Sequence, residues 1–352
     1  IIETNRGCPF LCTFCYWGRG GNTQKYRFKK LETIYEEIEF FSKHKIEYVF
    51  NADSNFGMHK RDYEIGLKLI QYNNQTGYPE KFRTCWGKNT SERIFKIASL
   101  LHYNNMDKGV TLARQSNNKE VLINIKRDNI KLEAYSALQE KFNTLNVPIY
   151  TEMIIGLPGE TLDSWKKGIE EIFETNYENQ LSVYLGEVYP NTELSSKEYQ
   201  KKFEIKTKRI KLNEIHCSPK NQKWLQEYQE ILVGSYSMDE QEWCEMMIFS
   251  IFTMLFHTMK TGFYILKYLH DSVGLDYVNV ITMLLNSKET NIANLKKEIV
   301  DYVNKLLEGE GRGKIYKKYS NNYLEIEEVL FLRITENRSF YNAVKKTLFD
   351  NI

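Results

Sequence analysis

Apolar positions recur at helical spacing in the first two hundred residues: Leu31, Ile34, Ile38 and Phe41; Ile94, Ile97, Ala98 and Leu101; Leu132, Tyr135, Leu138 and Phe142; Leu162, Trp165, Ile169 and Ile172. Between them lie short β-rich runs at Ile1–Thr4, Glu47–Phe50, Lys81–Trp86, Gly109–Ala113, Val147–Ile155 and Leu181–Tyr189. Six strands alternating with five crossover helices predict parallel βαβ units. No glycine-rich fingerprint follows the first strand, which argues against a dinucleotide-binding open sheet. The expected fold is α/β, a partial, six-stranded parallel β/α barrel open on one side. Polar or special residues cluster where each strand should end: Cys8; Asp53 and Asn55; Lys88 and Asn89; Gln115 and Ser116; Glu152 to Gly156; Pro190 and Asn191. Parallel barrels gather their chemistry at that rim. Turns are polar in any fold, but six such clusters in register carry weight that one would not.

Beyond about residue 200 the texture changes. Phe203–Thr207 and Arg209–Ile215 alternate like strands, and helices are expected at Asp239–His270, Lys288–Leu307 and Glu325–Phe349. Gly309–Gly313 reads as a loop. The expected domains are a barrel over 1–195 and a mainly helical C-terminal region over 196–352 that covers or selects substrate. The longest apolar stretch, Met246–Phe256, is broken by Ser250 and Thr253, so it reads as a buried helix and no membrane partner is expected. The charge sum of +2 provides no global field for nucleic acid. The Lys/Arg cluster from Lys197 to Lys211 is either a contact for an acidic substrate or a solvated face.

The chemistry is concentrated in Arg6-Gly7-Cys8-Pro9-Phe10-Leu11-Cys12-Thr13-Phe14-Cys15. Three of the six cysteines share this loop, while Cys85, Cys217 and Cys244 are scattered. That distribution suits a reducing, cytoplasmic setting with a local metal site better than a disulfide framework. Structural zinc wants four ligands, commonly as two separated pairs, and no second pair exists here. A cubane held by three thiolates leaves one iron open to a small molecule. Phe14 offers an apolar wall beside Cys15.

The loop, with its aromatic before the last cysteine, resembles the signature of the radical S-adenosylmethionine (SAM) superfamily, and the likeness extends over about residues 1–195. It implies that Cys8, Cys12 and Cys15 hold a [4Fe–4S] cluster whose fourth iron chelates SAM. One-electron reduction by an external flavodoxin- or ferredoxin-type donor then splits the sulfonium into methionine and a 5′-deoxyadenosyl radical. The family often has Gly-Gly-Glu where this chain has Asn51-Ala52-Asp53-Ser54-Asn55-Phe56-Gly57, so Asp53 or Asn55 would receive the SAM amino end. Leu112-Ala113-Arg114-Gln115-Ser116 resembles a Gln-Ser turn at the polar end of SAM, and Arg127 a residue that pairs with its carboxylate. Gly156-Leu157-Pro158-Gly159-Glu160-Thr161 resembles the segment beside the adenine; it also reads as a plain strand-to-helix turn with Thr161 as N-cap. Glu152 and Lys88 are the candidate catalytic groups. Glu152 meets SAM or substrate if it points inward, and an interior salt bridge is the alternative for Lys88 and Asn89.

The combined motifs, among them Thr4-Asn5-Arg6-Gly7-Cys8-Pro9, Gly87-Lys88-Asn89, Ile125-Lys126-Arg127, Thr151 to Thr161 and Pro190-Asn191-Thr192-Glu193, resemble cobalamin-linked members. The chain lacks an Asp-x-His-x-x-Gly cobalamin signature and starts without Met, so a cobalamin-binding domain is expected upstream of Ile1. The reading is an enzyme acting on a small-molecule substrate, by methyl transfer to an unreactive carbon. Its rivals are a cobalamin-independent oxidoreductase or cyclase, a tRNA methylthiotransferase, which the near-neutral charge disfavours, and a cluster-bearing regulator that binds SAM without turnover.

Overall fold

The computed structural model describes residues 1–20, 25–87, 92–220 and 225–352. Contacts divide the chain into two units. The first comprises Ile1–Arg114, Ile125–Glu152 and Pro190–Glu193; the second comprises Gln115–Asn124, Met153–Tyr189 and Leu194–Ile352.

The elements run β1 (Asn5–Arg6), β2 (Arg27–Phe28), α1 (Leu31–Lys43), β3 (Tyr48–Phe56), α2 (Lys60–Thr76), β4 (Lys81–Trp86), α3 (Glu92–Tyr103), β5 (Val110–Thr111), α4 (Lys119–Asn124), α5 (Leu132–Thr144), β6 (Ile149–Ile155), α6 (Leu162–Phe173) and β7 (Gln180–Leu185). This strand–helix alternation with parallel pairing is the expected α/β order. In the first unit β3 and β4 pair in parallel, β5 joins the start of β6 through Val110↔Ile149 and Thr111↔Tyr150, and Ile2 bridges Asn51. The first predicted strand is therefore a single bridge, because the chain turns at once into β1 and pairs antiparallel with β2. In the second unit Gln115 bridges Met153, and Gly186 N–H donates to the Ile155 carbonyl at 3.2 Å.

The alternating burial of β4 places Phe82, Thr84 and Trp86 in the core and turns Arg83 and Cys85 to the other face. Phe56 packs on Phe82 and Trp86, with ring centroids 5.5 and 6.0 Å apart. Cys85 is exposed on the strand's polar face.

The C-terminal part contains α7 (Lys197–Lys202), β8 (Lys206–Lys211), β9 (Tyr228–Gly234), α8 (Glu240–Thr253), α9 (Phe263–Tyr268), α10 (Tyr277–Leu285), α11 (Thr290–Leu307), β10 (Lys314–Ile315), β11 (Tyr323–Leu324), α12 (Ile326–Ile334) and α13 (Arg338–Phe349). The two strands predicted over 203–215 are one, β8, and its antiparallel partner β9 was not foreseen. Four consecutive residues of β9, Ile231 to Gly234, are buried, so no alternation marks it. The long helix predicted from Asp239 to His270 breaks at Lys260, whose φ is +62°, and at Gly262, where a Cβ would lie 2.4 Å from Phe256 Cδ1. The last predicted helix splits at Asn337, whose Oδ1 accepts the Ser339 N–H at 3.1 Å and starts α13. Among the described residues no helix is long and apolar enough to cross a membrane.

Asp62, in the first turn of α2, is fully buried. Its Oδ2 accepts the N–H groups of Gly57 at 2.8 Å and His59 at 2.9 Å, while Oδ1 is buried without a partner. Burial pushes this carboxyl from 3.8 up to about 6, against the pull of those two hydrogen bonds. The folded chain thus keeps a proton that the unfolded chain has already released, and stability falls as pH rises through that window. Asp62→Asn keeps the acceptor and removes the charge. Relative to this variant, the wild type should lose about 2 kcal/mol of unfolding free energy between about pH 4.5 and about pH 7.5 in urea denaturation. Parallel pH profiles for the two proteins would show that Asp62 stays ionised throughout.

Candidate active site

The cysteine loop lies in the first unit, with Cys8 and Cys12 buried and Cys15 half-buried. Cys15 N–H donates to the Cys12 carbonyl at 3.1 Å, closing a tight turn, and Thr13 N–H donates to Ile125 at 3.0 Å. The end of β3 grips the other side of the loop. Here β3 advances five residues, Asn51 to Phe56, while β4 advances two, Thr84 to Trp86. The excess chain lets three successive side chains reach the loop, where a regular strand would turn alternate ones away.

Asp53 takes four donors: Thr4 N–H at 2.7 Å, Asn5 N–H at 3.1 Å, Asn5 Nδ2 at 2.8 Å, and the Thr4 hydroxyl. A carboxylate offers about four lone-pair sites, and all are used. Burial still raises its pKa, an effect those hydrogen bonds oppose. Asp53, expected to receive the SAM amino end, is placed to fix the approach to the loop. Ser54 Oγ donates to the Gly7 carbonyl at 2.6 Å, and Asn55 Nδ2 donates to Cys8 Sγ at 3.1 Å. Gly7 holds a φ of +115°, a conformation that suits glycine.

Arg127 reaches the loop from the segment after α4. Its Nε donates to Asn129 Oδ1 at 2.9 Å and its Nη2 to the Ala113 carbonyl at 2.6 Å, and the guanidinium also hydrogen-bonds Cys12. Burial pushes the guanidinium below its ordinary value, while Cys12, Glu152 and Cys15 pull it back up. Glu152, on β6, belongs to the same charged group: burial raises its carboxyl, and Arg127 and Arg83 oppose the rise. Phe14 is half-buried in the loop. Lys88 and Asn89 lie outside the described residues.

Gln115, Ser116 and Gly156 fall in the second unit. Gln115 has a φ of +64°, and its buried Oε1 has no partner. Its carbonyl accepts from Ile154 N–H at 2.9 Å. Ser116 Oγ donates to Glu160 Oε2 at 2.6 Å, and Thr161 Oγ1 accepts from Ser164 N–H at 3.1 Å, so Thr161 does cap α6. Gly156 has a φ of +89°, and a Cβ there would lie 3.1 Å from Leu232 Cβ. Thr4, Asn5 and Ser54 had no assigned role in the sequence. Only their place within the Thr-Asn-Arg-Gly-Cys-Pro and Ala-Asp-Ser-Asn runs marked them.

The donor set fits an iron–sulfur cluster. A single tetrahedral zinc would hold thiolate sulfurs about 3.8 Å apart, from Zn–S bonds of about 2.3 Å. Cys8, Cys12 and Cys15 are not gathered that tightly. Among the described residues, only Glu170, Glu174 and His270 bring three ligand atoms within 4.8 Å of one another. There Glu170 already accepts the N–H groups of Tyr277 and Val278. Three thiolate side chains on one loop, two of them met by N–H donors, suit a wider multi-iron cluster whose sulfurs need charge stabilisation.

Fold and site together define a radical SAM domain: residues 2–172 match the model of the radical SAM superfamily, to which the chain belongs. Over 207 residues the chain is 37% identical to the cobalamin-dependent radical SAM methyltransferase TokK of Streptomyces tokunonensis, covering 59% of this chain and 30% of that protein. It is 38% identical over 198 residues to the 2-(S-pantetheinyl)-carbapenam-3-carboxylate methyltransferase of Streptantibioticus cattleyicolor, covering 56% and 29%. The structure of the radical SAM methyltransferase TsrM from Kitasatospora setae matches with a TM-score of 0.46 and 17% identity, over 55% of this chain and 37% of that one. The chain thus spans about 30% of the length of the curated relatives it matches.

Proposed function

We propose that this chain is the catalytic part of a radical SAM methyltransferase that modifies an unreactive carbon of a small molecule. The observation that carries the reading is the loop itself, with three cysteines on one turn and a buried guanidinium beside Cys12 and Cys15. The family match over residues 2–172 and the methyltransferase names of both relatives support it. Cys8, Cys12 and Cys15 would hold the [4Fe–4S] cluster. When bound, the cluster and SAM supply one-electron cleavage of the sulfonium, with the electron from a low-potential flavodoxin- or ferredoxin-type donor.

The chain's own residues prepare that site. Asp53 and Ser54 fix the loop's entry, and Arg127 brings a fixed positive charge suited to the SAM carboxylate. Glu152, its carboxyl kept up by burial, can hold a proton near the reacting groups or accept a SAM hydroxyl. Cobalamin, in the name of one relative, would come from a separate domain; no residue of this chain is assigned to it.

Product analysis tests the reading. Anaerobically reconstituted protein with reductant and SAM should release 5′-deoxyadenosine and methionine. SAM that stays bound and intact would favour a regulatory, non-catalytic role.

A further inference from the structure

We infer that Asn55 is a positioning residue whose side-chain N–H, bonded to the Cys8 sulfur, raises the reduction potential of the cluster. Asn55 is 1% exposed, and its Nδ2 lies 3.1 Å from Cys8 Sγ. The neighbouring hydrogen bonds fix which end of the amide faces the sulfur. Ser54 Oγ spends its one proton on the Gly7 carbonyl at 2.6 Å, so it can only accept from Asn55 Nδ2 at 3.0 Å. The same NH₂ group then points its other proton at Cys8. Reversing the amide would set a carbonyl oxygen against both a sulfur and a hydroxyl lone pair, two repulsive contacts in place of two bonds.

The geometry is also stiff. Asn55 sits on the stretch where β3 gains residues over β4, between Ser54, tied to Gly7, and Phe56, wedged against Phe82 and Trp86. Tyr26 closes the same corner. Its hydroxyl is hydrogen-bonded to Asn55 and reaches Met58 Sδ at 3.5 Å. Water therefore has little room to replace the amide if it is removed.

The consequence is electrostatic. Reduction adds one electron to the cluster and its thiolates, and a donor fixed on a ligand sulfur stabilises the more negative state. This role rests on the cluster reading proposed above, and it differs from the SAM-binding role first expected of Asn55.

Asn55→Leu removes the donor at similar volume, and Asn55→Asp replaces it with a negative charge. Wild type and variants are reconstituted anaerobically, their iron counted, and the reduced cluster titrated by electron paramagnetic resonance without SAM or substrate. At the potential where wild type is half reduced, Asn55→Leu should show a reduced-to-oxidised ratio about tenfold lower, about 59 mV for a one-electron couple. Asn55→Asp should fall further. Midpoints at the wild-type value in both would overturn the inference. Should either variant lose its iron, Asn55→Gln decides: retaining the N–H, it must keep the iron, and its loss there too would overturn the inference. Wild-type protein that takes up no iron would instead defeat the cluster reading itself.

Discussion

Each of the variants Cys8→Ala, Cys12→Ala and Cys15→Ala will leave anaerobic reconstitution without a stable cluster, with iron and sulfide near zero against about four of each in wild type. The loop offers no substitute ligand for a lost thiolate. Its surroundings provide Asn55, Asp53, Arg127 and Glu152, of which Asp53 is saturated by four donors and Glu152 is attracted to the positive charges of Arg127 and Arg83. The matching control is the Cys85/Cys217/Cys244 triple Ala protein, which should keep the full complement. Cys85 and Cys217 are exposed, Cys244 is half-buried, and each stands more than twenty residues from the next cysteine in the chain. Iron retained by all three single variants would remove the cluster from this loop. A count near two cubanes that halves in the triple variant would establish a second site.

The residues that the sequence made legible are those whose role is local. Helical spacing found α1, α3, α5 and α6, because each buries one stripe of apolar residues three and four positions apart. The cysteine spacing was informative for the same reason: three ligands of one group sit on a single turn. Partnership across the chain was not legible. β9 is buried over four successive residues, so it shows no period, and its pairing with β8 depends on residues about twenty positions away. Asp53 and Asn55 stood out as polar residues at a strand end, but nothing in their order shows that one would be spent on Thr4 and Asn5 and the other on a cysteine. That division arises from the irregular register between β3 and β4, which side-chain alternation cannot reveal. The break at Lys260–Gly262 is similar: Lys260 takes a φ of +62° and Gly262 lies close against the Phe256 ring, a close approach that helical spacing does not announce.

Replacing Arg127 should separate SAM binding from cluster binding. Arg127 laces two stretches of the first unit together: it donates to Ala113 and Asn129, while Arg114 Nη1 donates to Ile130 at 2.8 Å and Asn129 Nδ2 to the Arg114 carbonyl at 2.8 Å. It also carries a buried positive charge beside Cys12 and Cys15. Arg127→Met keeps an unbranched, largely apolar stem and removes both functions. Leaving the Ala113 carbonyl and Asn129 Oδ1 without this donor should cost about 2 kcal/mol of stability, read as a lower urea midpoint. SAM affinity of the reconstituted protein, measured by equilibrium dialysis, should fall at least about tenfold, the loss expected of a charge-assisted pair. Arg127→Lys keeps the charge without the planar fork, so it should recover part of the SAM affinity and little of the stability. In both variants the three cysteines remain, and the iron content and the visible absorption of the cluster should persist. If Arg127→Met binds SAM as wild type does while losing stability, Arg127 acts only as a strut between the end of β5 and residues 127–130, and the SAM carboxylate must be met by another group.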